Sequence, residues 1–521
     1  MTTLSKLASS SSILQLLVQI LSNRKNISKA LGVYILYILI KYKRSVLGVR
    51  PRDEIPGPPG YPLIGNALDV IKTPLDKVLQ RQVYLHETYG NTYTMSVPFV
   101  GRIINVRSPA DVEHVLKHNF WAYEKGSRFK TGLMPIVGEG IFSADGQHWK
   151  WQRKLASLIF NVRAFRDYTS HVFVSEADLV LSYLGSKADT HEPVDLLSLF
   201  YKFTLDSFGH IAYGTSFDCL KNPEVETPFA AAFDRLNHNV SGRFMSPIWQ
   251  VKDWYTGNDK RVAADSQFLK KFALDLIHTR RTEGWHGKHK DLLQLFMETT
   301  TDADEHLTDD MLVDSIMNFV IAGRDTTAQA LSWAFYLMHR SKASPEIVEN
   351  LHSETERVLQ GDKPTYESTK QQKYAEACFY EALRLYPSVP KNIKTCVEDN
   401  VLPSGTPVYK GEVVGWSSWA MGRDEQIWGP DAKDYNPERW LTGEKPSSAK
   451  FVAFHLGPRT CLGQQFATIE AITLMSMMVS SFTFELVDPD TEPEYMASLT
   501  LPMAKGLPVY VKRRNTSARA L

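Results

Sequence analysis

Apolar residues recur at three- and four-residue intervals over 75–89, 194–213, 266–281, 292–299, 309–340 and 464–479. That spacing lays them along one stripe of a helix, so each stretch is predicted helical. Strict alternation in Thr92-Tyr-Thr-Met-Ser-Val97 predicts a strand instead, and strand signals return at 407–409, 411–414, 483–487 and 507–511. Beyond Asp111 the pattern is mainly helical, with no repeat. The expectation is a mainly α fold with small β-sheets, organised as one large domain.

The first fifty residues follow a different pattern. An amphipathic stretch interrupted by Gln15 and Gln19 ends at Arg24 and Lys25, and a near-continuous apolar run occupies 30–40. A straight membrane span needs roughly 20 residues. The run reaches 27–42 only if Lys29, Lys41 and Lys43 snorkel. A cleaved signal peptide is disfavoured because Lys41, Tyr42, Lys43 and Arg44 follow directly, with no small-residue cleavage site. We therefore expect residues 1–50 to attach the chain to a membrane as a transmembrane helix. The basic flank Lys41, Lys43, Arg44, Arg50 and Arg52 keeps the body cytosolic, although Arg24, Lys25 and Lys29 weaken that signal. The stretch Ile55-Pro-Gly-Pro-Pro-Gly-Tyr-Pro62 forbids helix, so 51–62 is expected to be a stiff extended connector and 63–521 the body.

Composition narrows the chemistry. Of 521 residues 43% are hydrophobic and 22% charged, and the net charge is only +1, so no global field attracts nucleic acid. Cys219, Cys378, Cys396 and Cys461 lie far apart without a CxxC pair, which argues against a disulfide scaffold or a structural zinc site. Cys461 stands out. It lies in Phe454-His-Leu-Gly457-Pro-Arg459-Thr-Cys461-Leu-Gly463-Gln-Gln-Phe466 at the head of the 464–479 helix. There, unpaired N–H groups and the helix dipole are expected to favour the thiolate, a metal ligand. Gly457 and Gly463 let the backbone turn tightly, and Phe454 shields the sulfur.

Within the long helix, Thr308 is expected to cap the start, and the Thr326 hydroxyl to bond back to the Ala322 carbonyl beside Gly323, opening a notch for dioxygen and water. Glu381 and Arg384 share a helix face, and Arg439 is placed to complete a charge network with them.

The cysteine stretch resembles the haem-binding loop of the cytochrome P-450 (haem-thiolate monooxygenase) superfamily. Ala322-Gly323-Arg-Asp325-Thr326-Thr327, Glu381-x-x-Arg384, Pro437-Glu438-Arg439-Trp440 and Trp149-x-x-x-Arg153 extend the likeness across residues 56–513. It implies haem b with an axial thiolate from Cys461, and propionates held by Trp149, Arg153, Arg459 and Lys394, the last standing where many relatives carry arginine. It also implies a proton relay through Asp325 and Thr326, and a network of Glu381, Arg384 and Arg439 bracing the cysteine loop. Ala322 stands where some relatives carry a glutamate that esterifies the porphyrin, so a non-covalent haem is expected.

The same resemblance places Leu133, Met134, Phe142, Phe319, Ala322, Val389 and Leu499 around a lipophilic substrate, with Arg128, Lys130 and Lys391 as cations near it. Phrases such as Phe203-Thr-Leu-Asp-Ser-Phe-Gly209 and Trp419-Ala-Met-Gly-Arg423 look like fungal and plant alkane and fatty-acid hydroxylases. The implied partners are NADPH-cytochrome P-450 reductase, cytochrome b5 and membrane lipids, and the implied location is the endoplasmic reticulum membrane. A steroid or xenobiotic hydroxylase is the alternative. A haem-thiolate isomerase or dehydratase, or a non-catalytic haem protein, is disfavoured by the Asp325-Thr326 pair.

Overall fold

The alternation at 92–97 forms β1 (Thr92–Val97), which pairs antiparallel with β2 (Gly101–Val106) so that Met95 faces Ile103. The computed structural model describes residues 24–41, 45–50, 52, 54–160, 163–244, 246, 248–284, 291–299, 307–496 and 498–514. Together with β3 (Tyr123–Glu124), β5 (Asn392–Cys396) and β8 (Val413–Trp416), the hairpin builds a five-stranded sheet in the order β1-β2-β8-β5-β3. Its β2–β8 contact is parallel. A smaller sheet joins β4 (Val194–Asp195), β10 (Pro508–Arg513) and β9 (Phe482–Leu486), and β6 (Asn400–Val401) pairs with β7 (Pro407–Val408).

Helices make up most of the rest. The N-terminal helix α1 (Arg24–Lys41) is followed by α2 (Ser127–Val137), α3 (Gly146–Phe160), α4 (Arg163–Thr190), α5 (Leu196–Tyr213) and α6 (Pro228–Phe244). Then come α7 (Asn258–Glu283), α8 (Asp309–His339), α9 (Lys373–Leu385) and α10 (Gln464–Ser481). The helix predicted over 194–213 loses its first two residues to β4, where Val194 and Asp195 pair with β10. Long-range pairing there overrides the local period.

Helix α8 is the axis of the molecule. Thr308 accepts the Met311 N–H, Asp309 and Asp310 complement the dipole of the first turn, and the 31 residues extend about 47 Å. Its first half packs in an apolar cluster with α2, α6 and α7, and its second half in a larger one with α4, α9 and α10. Phe454 packs against the larger cluster, Leu462 and Phe466 against the other, so the cysteine loop sits at their seam.

The N-terminal apolar run is helical, but among the described residues no helix is long and apolar enough to cross a membrane. The transmembrane reading thus finds no support in α1: Lys29 and Lys41 lie within its 18 residues and Arg24 and Lys25 at its start. The proline-rich stretch runs along β1. Ile55 is buried, the Pro56 carbonyl accepts the Thr94 N–H at 2.8 Å, and a Cβ on Gly57 would lie 2.1 Å from the Thr94 carbonyl oxygen. Ser45 and Leu47 exchange backbone bonds with Leu63, and Arg52 pairs with Glu412 at 2.7 Å.

Candidate active site

Cys461 lies three residues before α10, its N–H donated to the Phe454 carbonyl at 2.9 Å. A Cβ on Gly457 (φ +69°) would meet the Leu116 carbonyl at 2.0 Å, so only glycine fits that turn. Gly463 carries no such demand: nothing among the described residues lies within 4 Å of its would-be Cβ. Cys461 is exposed, yet protein encloses it closely enough that burial pushes its thiol up, so the exposed surface faces inward. The Gly463 N–H and Arg153 pull the other way without overcoming burial. The helix start favours the thiolate, as its position implies, but burial outweighs it; a bound cation would supply the difference.

Cations gather around the cysteine loop. Arg153 lies one turn after Trp149 on α3, and the buried Trp149 ring sits 4.5 Å from the Arg459 guanidinium. Burial, reinforced by neighbouring positive charge, lowers Lys394 well below the usual lysine range, Lys125 to about 7 and Arg459 to about 10. His455 is held down at about 3 by burial and by Lys125 and Lys394. Asp145 opposes them, 2.8 Å from Arg459 and 3.1 Å from Lys130. Among the described residues Lys394 Nζ is buried without a hydrogen-bond partner. A group bringing two carboxylates would satisfy this cluster, and haem brings both, with an iron for Cys461. The residues present therefore fit it. Sequence reasoning missed Lys125, which reaches the cluster because β3 pairs with β5.

The Glu381 network is assembled in full. Glu381 accepts from Arg384 at 2.7 and 2.8 Å, Arg439 at 2.9 Å, the Trp440 indole at 2.9 Å and the Asn436 N–H at 2.9 Å. Arg384 spends its remaining donors on the carbonyls of Gly422, Ala432 and Asp434. Aromatic rings carry this network to the cysteine loop: Trp440 packs on Phe451 at 4.8 Å, and Tyr380 on Phe451 and Phe454 at 5.6 and 5.8 Å.

On α8 the Thr326 hydroxyl donates to the Ala322 carbonyl at 2.6 Å, and the Ser388 hydroxyl donates to the Thr326 carbonyl at 2.8 Å. Gly323 has another task than the notch expected of it. Its Cβ would lie 2.5 Å from Phe208, so its bareness lets α5 and α8 close together. Asp325 is buried; it accepts from Asn237 at 2.7 Å and pairs with Arg324 at 2.9 Å. Arg324 in turn pairs with Asp234, a half-exposed residue beside a cavity of about 220 Å³. Burial raises Asp325 to about 6 despite Arg324, so a buried acid titrating near neutrality connects to solvent through two charges. Asn237 and Asp234 carry no signal in the sequence.

The expected substrate-facing residues divide. Ala322, Val389, Leu499 and Phe142 are partly exposed, whereas Leu133 and Phe319 are buried in the core, Phe319 against Phe296 at 5.7 Å. Met134 is 41% exposed on α2.

Known proteins match along nearly the whole chain. A family model described as cytochrome P-450 covers residues 55–508. Cytochrome P-450 monooxygenase cyp1 of Mycosarcoma maydis is 35% identical over 91% of this chain and 78% of its own length. Cytochrome P-450 704B1 of Arabidopsis thaliana is 32% identical over 88% of this chain and 95% of its own, and cytochrome P-450 94A1 of Vicia sativa 30% identical over 88% and 91%. The inward-facing cysteine, the cations around it and this extent of similarity lead to one conclusion: the chain belongs to the cytochrome P-450 family of haem-thiolate monooxygenases.

Proposed function

We propose that the protein hydroxylates a long-chain fatty acid or alkane, taking electrons from NADPH through cytochrome P-450 reductase, with cytochrome b5 as an accessory donor. The observation that carries the reading is the inward-facing Cys461 near buried cations of which one, Lys394, has no hydrogen-bond partner among the described residues. Trp149, Arg153, Lys125, Lys394 and Arg459 would hold the haem carboxylates, and Cys461 would take the iron. Haem would supply the oxygen chemistry, and a thiolate donor would favour O–O cleavage. Asp325 takes up and releases a proton, being poised near neutrality, while Arg324 keeps its charge and holds Asp325 towards Asp234 and the solvent-facing cavity beside it. The Thr326 hydroxyl, fixed on Ala322, orients the water that passes the proton on. Ala322, Val389 and Leu499 present an apolar wall that favours a lipophilic guest and excludes bulk water.

On α1, Leu31, Val33, Ile35, Leu36, Leu39 and Ile40 are exposed. We read them as the contact with the endoplasmic reticulum membrane, the body remaining cytosolic. The test is aerobic turnover with NADPH and reductase. Wild-type protein should form hydroxylated fatty acid or alkane, and Cys461→Ser should lose both the product and the carbon monoxide difference band of thiolate-bound haem. Product formed without NADPH or reductase would point to an isomerase or dehydratase and overturn the proposal.

A further inference from the structure

The segment 498–501, which carries Leu499, is held by groups that also hold Asp325. At its far end the Leu501 N–H donates to Gln329 Oε1 at 2.8 Å, and Gln329 Nε2 donates to the Thr500 hydroxyl at 2.9 Å and the Tyr201 hydroxyl at 2.8 Å. The Tyr201 ring lies 4.3 Å from the Arg324 guanidinium that pairs with Asp325. At its near end the Leu499 N–H donates to the Ser241 hydroxyl at 3.2 Å, and the Ser498 hydroxyl lies 3.0 Å from the same oxygen. Ser241 stands one turn after Asn237 on α6, and Asn237 donates to Asp325 at 2.7 Å.

The supply of protons fixes the direction of this chain. Asn237 gives its Nδ2–H to the carboxylate, which leaves Oδ1 as the acceptor facing Ser241 Oγ at 3.5 Å. A serine hydroxyl has one proton and two lone pairs. The Leu499 N–H and the Ser498 hydroxyl occupy the lone pairs of Ser241, so its proton goes to Asn237. The bonds therefore run one way, from the Leu499 N–H through Ser241 and Asn237 to Asp325, and bonds aligned in this manner strengthen one another. Asn237, Ser241 and Asp325 are buried, so water competes little. The Ser241–Asn237 link is the longest of the chain, and a small movement changes it most.

Leu499 is the lever. It is partly exposed and packs beside the first half of α8, while its N–H is committed to α6. A guest pressed against its side chain drives the amide onto Ser241, closes the slack link and strengthens donation to the Asp325 carboxylate, which favours release of the acid's proton. We propose that Ser241 and Asn237 are positioning residues that report a filled pocket to Asp325, so that proton delivery waits for substrate. This rests on the lipid-hydroxylase reading and the Asp325 relay above. Arg324, Asp234 and Tyr201 also act on Asp325, and the variants below leave them in place.

The experiment measures turnover of hexadecanoic acid and hexadecane by haem-loaded full-length protein with reductase, read as product per NADPH with peroxide assayed alongside. Ser241→Ala should lower that ratio about two- to ten-fold, the worth of one hydrogen bond, and leave KM unchanged because Gln329 and Trp333 still hold Leu501. Ser241→Thr keeps the hydroxyl and should restore the ratio. Ser498→Ala weakens the same chain without touching α6, so it should lower the ratio as well, and it serves if Ser241→Ala does not fold. Leu499→Ala should also lower the ratio, and adding Ser241→Ala to it should remove nothing more, since both cut one route. Losses that multiply in the double variant, an unchanged ratio in the serine variants, or a higher KM as the sole effect would overturn the coupling while leaving the lipid reading standing. Wild type that hydroxylates neither probe removes that reading, and this inference with it.

Discussion

Two buried charge clusters flank the cysteine loop, and they are built on opposite principles. Around Glu381 each guanidinium meets a carboxylate or a carbonyl, and the carboxylate accepts from four residues. Around Lys394, positive groups crowd one another, Asp145 offsets only part of the charge, and the Lys394 ammonium has no hydrogen-bond partner among the described residues. The first cluster is complete as the protein folds; the second is complete only with a dianionic guest. Buried charge that is internally satisfied holds a fold in register, whereas buried charge left in excess marks a binding site.

The comparison breaks most visibly at Glu381. Glu381→Ala strands Arg384 and Arg439 in the interior, and breaking such a buried pair costs about 3–5 kcal/mol. Urea unfolding should show that loss, with little folded protein retaining haem; a loss below about 1 kcal/mol would mean the network is ornamental. Lys394→Met should act with opposite signs in two measurements. Removing an uncompensated buried ammonium makes the haem-free protein more resistant to unfolding. The holoprotein should lose about 1–3 kcal/mol of haem affinity, read as faster haem transfer to a competing apoprotein. Changes of the same sign in both would show that Lys394 is merely packed.

The smallest effect belongs to the mixed chain Asp234–Arg324–Asp325. The folded Asp325 carboxyl keeps its proton up to about pH 6, against an ordinary value of 3.8, so folding takes up a proton between those values. Stability should fall as pH rises through that window and level off above it. Asp325→Asn should flatten this slope, gaining stability at pH 7 but not at pH 4. An unchanged slope would show that another group is titrating.

How much of this was legible depended on sequence distance. Cys461, the Thr326 bond to Ala322 and the Glu381–Arg384 pair are local patterns, fixed by helix geometry within four residues, and Arg439 was reachable because Pro437-Glu438-Arg439-Trp440 marks itself. The long periodic helices, α8 above all, were equally plain. What stayed hidden depends on partners far along the chain: Val194 reads as helix until β10 claims it, Lys125 looks solvated until β3 docks on β5, and Asn237 and Asp234 meet α8 only through α6 packing. Gly323 was read only as lying beside a notch, and the approach of Phe208, which requires its bareness, was not legible. Nor was the balance at Cys461, where burial outweighs the helix start.

The docking of residues 45–65 against the sheet has a mechanical meaning. A pull arriving along the chain at Ser45 passes through the Leu63 bonds, the Pro56–Thr94 bond and the Arg52–Glu412 pair into β1 and the turn before β8. From β8 the hydrogen-bonded ladder continues to β5, the strand that carries Lys394 and follows Lys391. The sheet is thus a stiff plate with a tether at one edge and one wall of the site near the other. Tilting the tether tilts that wall with it, so the pitch of the pocket is set by the sheet, and lengthening the segment before Ser45 would slacken the leash without turning the plate.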